Sequence, residues 1–160
     1  MNDLVKGLLT ILTSGLVSAS ATTLFNFRQS ERQIRRNKLE EVCVATIKSI
    51  HVAQEIRRNF DKIFDSGVSA KQMDELLQKI GSMVGDDVLR INTLTSLYFP
   101  EVYPLLLNCS KSVADMNATS PTDREKMGAA MDRVIADRGE FLRGLYRLAP
   151  QVNAPIWKAW

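Results

Sequence analysis

Apolar residues recur every three or four positions along most of the chain, and this spacing predicts amphipathic helices rather than strands. The longest stripe starts soon after a basic stretch and runs to a turn at Asp65-Ser66-Gly67. It comprises Leu39, Val42, Thr46, Ile50, Ala53, Ile56, Phe60 and Ile63. We expect these residues to form one face of a long helix and to contribute to a core.

Two more stripes follow in the middle of the chain. A capping box at Ser69 to Gln72 opens the first, and Leu94 and Leu97 continue it beyond an expected break or kink at Gly85-Asp86-Asp87. The second predicts a helix from about Pro100, where the previous one ends, to Met116.

A last helix completes the predicted domain. Ser120-Pro121 is a start signal, a cap followed by proline in the first turn, and Pro150 is expected to end the helix. The apolar face carries Met127, Met131, Val134, Ile135, Phe141, Leu145 and Leu148. The fold class predicted from these helices is all-α. Because the connections are short, we expect an antiparallel up-down helical bundle, and one N-terminal helix is expected to continue into it.

The N-terminal segment 7–25 is 19 residues long and contains no charge. At the helical rise it extends about 29 Å, which matches the hydrocarbon core of a bilayer. Ten of its residues are apolar and seven are Ser or Thr. The segment therefore predicts a transmembrane helix. Two alternatives stay open, a signal peptide cleaved after Ala21 and a buried helix of a soluble protein.

Five basic residues follow this segment closely, and they would lie at lipid headgroups if it spans a membrane. They are Arg28, Arg32, Arg35, Arg36 and Lys38. The excess of positive charge after the segment places the C-terminal domain in the cytoplasm. The alternative is that these side chains form an ordinary solvated helix face.

Small residues form two neighbouring rows along the predicted span. One row is Gly7, Ile11, Gly15, Ala19 and Thr23; the other includes Ser14, Ser18 and Thr22. Rows of this kind allow close approach of helices in lipid, and hydroxyls can hydrogen-bond across the contact. They predict self-association of the span into a homo-oligomer. The alternative is a mildly polar single anchor.

The domain organisation that follows has four parts. Residues 1–27 form the span, 28–38 a basic juxtamembrane helix, 39–149 the helical bundle and 150–160 a tail. The tail carries Trp157 and Trp160, a residue type that favours the membrane interface. A tail folded over the end of the core is the competing interpretation.

Little in the sequence supports catalysis. The single histidine, His51, has no second histidine with which to bind a metal, and Cys43 and Cys109 have no metal-type spacing. Phosphate-binding loops and nucleophile elbows are missing from the sequence. We therefore expect no enzyme, no metal and no cofactor.

Anion binding is the more open possibility. Arg57 and Arg58 are adjacent, whereas Arg143 and Arg147 share a face of the last helix. Convergence of such arginines in an oligomer would create a site for a phosphate-bearing ligand. The default interpretation is ion pairing within each helix.

These features predict a single-span, self-associating membrane protein whose cytoplasmic domain binds a partner or ligand and couples it to the span. In architecture alone the chain is similar to small bacterial membrane effectors, which include defence effectors gated by cyclic oligonucleotides. One alternative is a secreted or periplasmic helical binding protein. Another, less favoured because aromatic interleaving is lacking, is a nucleic-acid-binding module.

Overall fold

The computed structural model describes residues 3–67, 70–120 and 123–154. Within these ranges the chain is helical and contains no strand. The elements are α1 (Asp3–Asp65), α2 (Ala70–Tyr98), a single 3-10 turn (Pro100–Val102), α3 (Tyr103–Asn117) and α4 (Arg124–Asn153). The predicted all-α class and the helical bundle are confirmed.

The first helix, α1, is one uninterrupted element of 63 residues. Between Gly15 and Gly67 the sequence contains neither glycine nor proline, so nothing local breaks the helix. It ends where the sequence predicted, because Gly67 adopts a φ of 70° and its N–H bonds to the carbonyl of Phe64 over 3.3 Å. Glycine reaches this left-handed conformation at no steric cost, which favours a helix end.

The second helix, α2, continues through the segment expected to interrupt it. The predicted break at 85–87 is wrong, since α2 is continuous from Ala70 to Tyr98. Contacts with α1 favour the continuous helix: Asp87 pairs with Lys48 over 2.6 Å, and Arg90 pairs with Glu41. A glycine inside a helix costs only about 1 kcal/mol, which such tertiary contacts can offset.

The last helix, α4, begins and ends later than the sequence signals indicate. Asp123 is the N-cap and accepts a hydrogen bond from the Lys126 N–H over 3.1 Å, so Ser120-Pro121 does not start the helix. Pro121 lies outside the described residues. At the other end Pro150 lies inside α4, which continues to Asn153. Val152, which follows Pro150 by two residues, is buried. Its packing stabilises the last turn of α4, which proline alone would weaken.

Adjacent helices of the bundle run in opposite directions. Along α1 and α4, Arg32 contacts Ala154 whereas Arg57 contacts Asp132, so the two helices are antiparallel. Helix α1 packs against both α2 and α4, and α3 packs against α4. Helices α2 and α3 contact each other much less. The bundle is therefore closed on three sides and looser along the seam between α2 and α3.

The main core fills the half of the bundle nearest to the 3-10 turn. All four helices contribute to it, and its most buried members are Val42, Phe99, Phe141 and Leu145. A smaller cluster around Phe60, Met127 and Met131 closes the opposite end of the α1–α4 pair.

Most of the predicted core stripes are confirmed. In α1 the side chains of Leu39, Val42, Thr46, Ile50 and Phe60 are buried. Leu97 is an exception, because it is 68% exposed although it shares the predicted stripe of buried Leu94. Since α2 packs mainly on α1, only a narrow face of α2 is covered.

Within the ranges that the structure describes, no helix is both long enough and apolar enough to cross a membrane. The fold therefore lends no support to the predicted transmembrane span.

Candidate functional site

The N-terminal part of α1, residues 3–31, extends away from the bundle, and we call it the arm. Every residue from 18 to 31 is exposed. Leu24, Phe25 and Phe27 are 63%, 51% and 67% exposed. Successive helical residues point about 100° apart, so these three side chains leave more than one face of the arm apolar. The arm is a continuous helix, and its part from residue 18 to residue 31 is exposed.

The small-residue rows fall on this arm. The side chains of Gly7, Ile11, Ser14 and Gly15 lie outside the described residues. Those of Ser18, Ala19, Thr22 and Thr23 are exposed, which leaves their rows accessible.

Two arm hydroxyls are satisfied within the helix. Thr22 Oγ1 donates to the Ser18 carbonyl, and Thr23 Oγ1 donates to the Ala19 carbonyl, each over 2.8 Å. A hydroxyl bonded to its own backbone costs less to remove from water than a free one. The arm is therefore less polar than its composition indicates.

The root of the arm is fixed to the bundle by arginines. Arg32 donates to the Ala154 carbonyl over 2.9 Å. Arg35 pairs with Glu101 over 2.7 Å and lies over the Phe99 ring, 5.7 Å from its centroid. These contacts place the ends of α2 and α4 at the same end of the bundle as the arm.

The five predicted headgroup residues are thus divided. Lys38 pairs with Glu41 over 2.8 Å, so it joins Arg32 and Arg35 in contacts with the protein. Arg28 and Arg36 are exposed. The two tryptophans predicted at the interface, Trp157 and Trp160, lie outside the described residues.

Within one chain the four arginines proposed for anion binding do not come together, and their convergence in an oligomer stays a prediction. Arg57 bonds to Asp132 over 3.0 Å and pairs with Asp61 over 3.3 Å. The hydrogen bond that Arg57 donates to the Asp132 carboxylate is the main reason why the pKa of Arg57 is raised. Asp61 also pairs with Arg124, over 2.9 Å. This network joins α1 to α4 and leaves Arg57 no free charge.

The other three candidates are exposed on the surface. Arg58 pairs with Glu55 over 3.7 Å, and Arg143 pairs with Glu140 over 3.0 Å. Arg147 is exposed as well. Ion pairing within helices, the default interpretation of Arg58 and Arg143, matches these contacts.

A cavity of about 240 Å³ lies between all four helices. We call it the seam cavity. Thr46 and Ser49 of α1 and Phe141 of α4 form its floor and are buried, whereas Ser110 of α3 is exposed at its edge. The cavity therefore opens along the loosely packed seam between α2 and α3.

One charged side chain lines the seam cavity, that of Arg138. Its Nη1 donates to the Ser49 carbonyl over 3.1 Å, and none of the described carboxylates forms an ion pair with it. Burial lowers the pKa of this guanidinium, although it stays protonated at neutral pH. Sequence analysis missed Arg138, yet a signal existed. It occupies the position between Val134 and Phe141 that the apolar stripe of α4 assigns to the core.

The cysteine that lines the same cavity is unreactive. Burial raises the pKa of the Cys109 thiol to about 11, so the nucleophilic thiolate is scarce at neutral pH. His51 is exposed. In the part of the chain that the structure describes, no group of three or more His, Cys, Asp or Glu could hold a metal ion.

No protein-family model matches the chain, and comparisons with curated proteins and with solved structures found no match. The function is therefore argued from the arm, the bundle and the seam cavity alone.

Proposed function

We propose that the protein is a membrane-attached, self-associating helical module. The arm of α1 inserts into the membrane beside the arms of other copies, and the bundle on the cytoplasmic side receives a partner or ligand. The observation that carries the proposal is the arm itself, a helix that is continuous with the bundle and whose residues 18–31, among them Leu24, Phe25 and Phe27, are all exposed.

The free energy of apolar burial supports this proposal. Leu24, Phe25 and Phe27 are more than half exposed. Covering a large apolar side chain is worth roughly 1.5–3 kcal/mol. With three such residues within four positions, the arm would gain this free energy by contacting lipid or another helix. The bundle covers none of the three side chains.

Self-association follows from the polar content of the arm. Seven Ser and Thr residues make segment 7–25 a weak membrane helix on its own. Neighbouring arms would cover the hydroxyl rows and leave the larger apolar residues to the lipid. We therefore propose that assembly and insertion depend on each other.

The basic residues support an orientation. Arg28, near the end of the arm, and Arg36, just beyond it, are exposed and would contact anionic headgroups, each worth about 1 kcal/mol near the surface. The positive-inside rule then assigns the bundle to the cytoplasm.

The unbroken helix offers a route for coupling. Residues of α1 form both the arm and the floor of the seam cavity. Arg32 and Arg35 fix the root of the arm to α4 and to the 3-10 turn. A change in the bundle would therefore reach the arm through a stiff helix and two defined contacts.

The experiment is carbonate-washed membrane fractionation of the full-length tagged chain, with the intact mass read from the same sample. We expect the full-length mass in the washed membrane. The double variant Leu24→Glu/Phe27→Glu should move the protein into the soluble fraction, because both charges would enter the apolar layer.

The matched control is Leu89→Glu/Leu97→Glu. These leucines of α2 are 67% and 68% exposed, as the arm residues are, but they belong to the bundle. The control should stay with the membrane. A soluble protein of full mass, or one shortened by 21 residues through cleavage after Ala21, would contradict the proposal.

Self-association is tested separately by the mass of the detergent-solubilised protein. Ala19→Glu should reduce the oligomer to a smaller species, and an unchanged oligomer would reject self-association. The membrane potential of cells distinguishes a pore from a passive anchor, because only a pore depolarises the cells when the protein is active.

A further inference from the structure

The seam cavity combines an apolar lining with one positive charge. Val88 and Ile91 of α2 and Leu106 of α3 supply apolar walls, and Phe141 of α4 is buried at the floor. Arg138 supplies the charge. Sites for small organic ligands have this composition, mostly apolar walls with a few convergent polar groups.

Arg138 keeps unused hydrogen-bonding capacity. A guanidinium carries five N–H donors in a planar fork. The recorded hydrogen bond, from Nη1 to the Ser49 carbonyl over 3.1 Å, occupies one of them. Arg35, Arg57 and Arg124, which also lie between elements, each pair with a carboxylate. Arg138 pairs with none in the described part of the chain.

An unpaired charge within a helical core is costly, and bound anions are one means of compensating it. The cavity leaves space beside this charge, and its edge at exposed Ser110 gives access from solvent. A helical core built only for stability would carry an apolar residue at this position of the α4 stripe.

We propose that the seam cavity binds a small apolar carboxylate, with its carboxylate on the Arg138 guanidinium and its hydrocarbon body against Val88, Ile91 and Leu106. The planar fork of arginine matches a carboxylate in geometry and in charge. The size agrees, because about 240 Å³ is somewhat smaller than a site for a drug-sized molecule.

A carboxylate fits better than a phosphate. Phosphate groups carry up to two charges and three strong acceptors, whereas the seam cavity offers one arginine among largely apolar walls. A small apolar carboxylate would thus be the ligand that the bundle receives. Only the idea that this ligand acts on the arm rests on the proposed function. Binding itself is measured without a membrane.

The experiment is calorimetric titration of the purified full-length protein with 3-phenylpropanoate. The neutral 3-phenylpropanamide, which has nearly the same shape, and inorganic phosphate are titrated in parallel. We expect the carboxylate to bind at least about tenfold more tightly than the amide, because a charged hydrogen bond contributes that much. Equal affinities, tighter binding of phosphate, or no binding of the carboxylate would overturn the proposal.

Variants locate the site. Arg138→Gln should weaken carboxylate binding at least about tenfold, and binding of the amide should change little. The matched control is Arg143→Gln, which removes an exposed charge from the same helix and should leave both affinities unchanged. Loss of binding in Arg143→Gln, or full binding in Arg138→Gln, would place the ligand elsewhere.

A second variant covers the case in which Arg138→Gln does not fold. Ser110→Trp adds a large side chain at the exposed edge of the cavity and disturbs no buried residue. It should retain the helical circular dichroism signal and lose carboxylate binding. Folded protein with unchanged binding would reject the seam cavity as the site. Failure of membrane fractionation would reject the arm proposal and leave this result standing.

Discussion

The guanidinium of Arg32 in α1 donates a hydrogen bond to the carbonyl of Ala154 over 2.9 Å, so residues 122 positions apart meet at the root of the arm. Ala154 directly follows α4, where a helix leaves backbone carbonyls without partners in its own last turn. The arginine therefore stabilises the end of α4 and anchors α1 at the point where α1 leaves the bundle.

The first prediction concerns this contact. Arg32→Gln removes the charged donor and should raise amide hydrogen exchange in the last turn of α4 roughly fivefold, since one hydrogen bond contributes about 1 kcal/mol. Hydrogen-exchange NMR at Val152 and Asn153 measures the effect. Arg36→Gln, at an exposed position one turn further on, should change nothing. Equal exchange rates in both variants would show that the contact does not hold the end of α4.

The second prediction concerns two glycines of α4. A Cβ at Gly144 would lie 2.6 Å from Leu105 Cδ1 and 3.2 Å from Val102 Cγ1, so the 3-10 turn and the start of α3 approach α4 closely there. Gly144→Ala should lower the free energy of unfolding by about 1 kcal/mol, because overpacking outweighs the gain in helix propensity.

Gly139 is the matched control, because a Cβ there meets nothing within 4 Å. Gly139→Ala should raise the free energy of unfolding by about 0.5–1 kcal/mol. Chemical denaturation measures both variants. A stabilising Gly144→Ala would mean that α3 and α4 do not pack at this distance.

The third prediction concerns two buried threonines. Thr95 is fully buried and its Oγ1 has no hydrogen-bond partner among the described residues. Thr95→Val should raise the free energy of unfolding by about 1 kcal/mol, because it replaces an unsatisfied hydroxyl with a methyl group of similar size.

Thr46 provides the comparison, since its equally inaccessible hydroxyl donates to the Val42 carbonyl over 2.7 Å. Thr46→Val should bring no gain and cost up to about 1 kcal/mol. If urea denaturation gives the same change for both variants, the Thr95 hydroxyl has a partner in solution.

The fourth prediction concerns stability in acid. Hydrogen bonding from Lys38, and then from Arg90, lowers the pKa of Glu41 below its ordinary value of 4.5. A carboxyl whose pKa is lower in the folded state stabilises the fold fully above its unfolded pKa. Stability should therefore fall as the pH drops from about 4.5 through the lower folded pKa.

Glu41→Gln should make the loss of stability with falling pH shallower, because the side chain no longer titrates. Glu125→Gln, at an exposed position in the first turn of α4, is the control and should follow the unsubstituted protein. Thermal melts between pH 3 and pH 6 provide the measurement. An acid limb of the same steepness in Glu41→Gln would contradict the role of this ion pair.

Local chemistry in the sequence determined the helices and most of their buried faces. The stripe from Leu39 to Phe60 identified the core side of α1, and Gly67 marked its end, because helical periodicity and the left-handed preference of glycine act over a few residues. The absence of charge from segment 7–25 is likewise determined by the sequence alone.

Local sequence signals predicted helix ends wrongly where contacts between distant residues stabilise the helix. The break expected at 85–87 and the end expected at Pro150 did not occur, since Lys48 pairs with Asp87 across α1 and α2 and packing buries Val152. A proline or a glycine has a fixed local cost, and a tertiary contact can exceed it.

The candidate sites divide along the same line. The uncharged N-terminal segment, the basic residues after it and the candidate arginines were identified from the sequence alone. Which of the arginines pair with carboxylates could not be predicted from it. Arg57 pairs with Asp132, whereas Arg138 bonds to the Ser49 carbonyl and to no carboxylate among the described residues, because antiparallel packing sets α4 against α1 in one register. Charge is a property of a residue, whereas its compensation depends on neighbours that only the tertiary structure brings together.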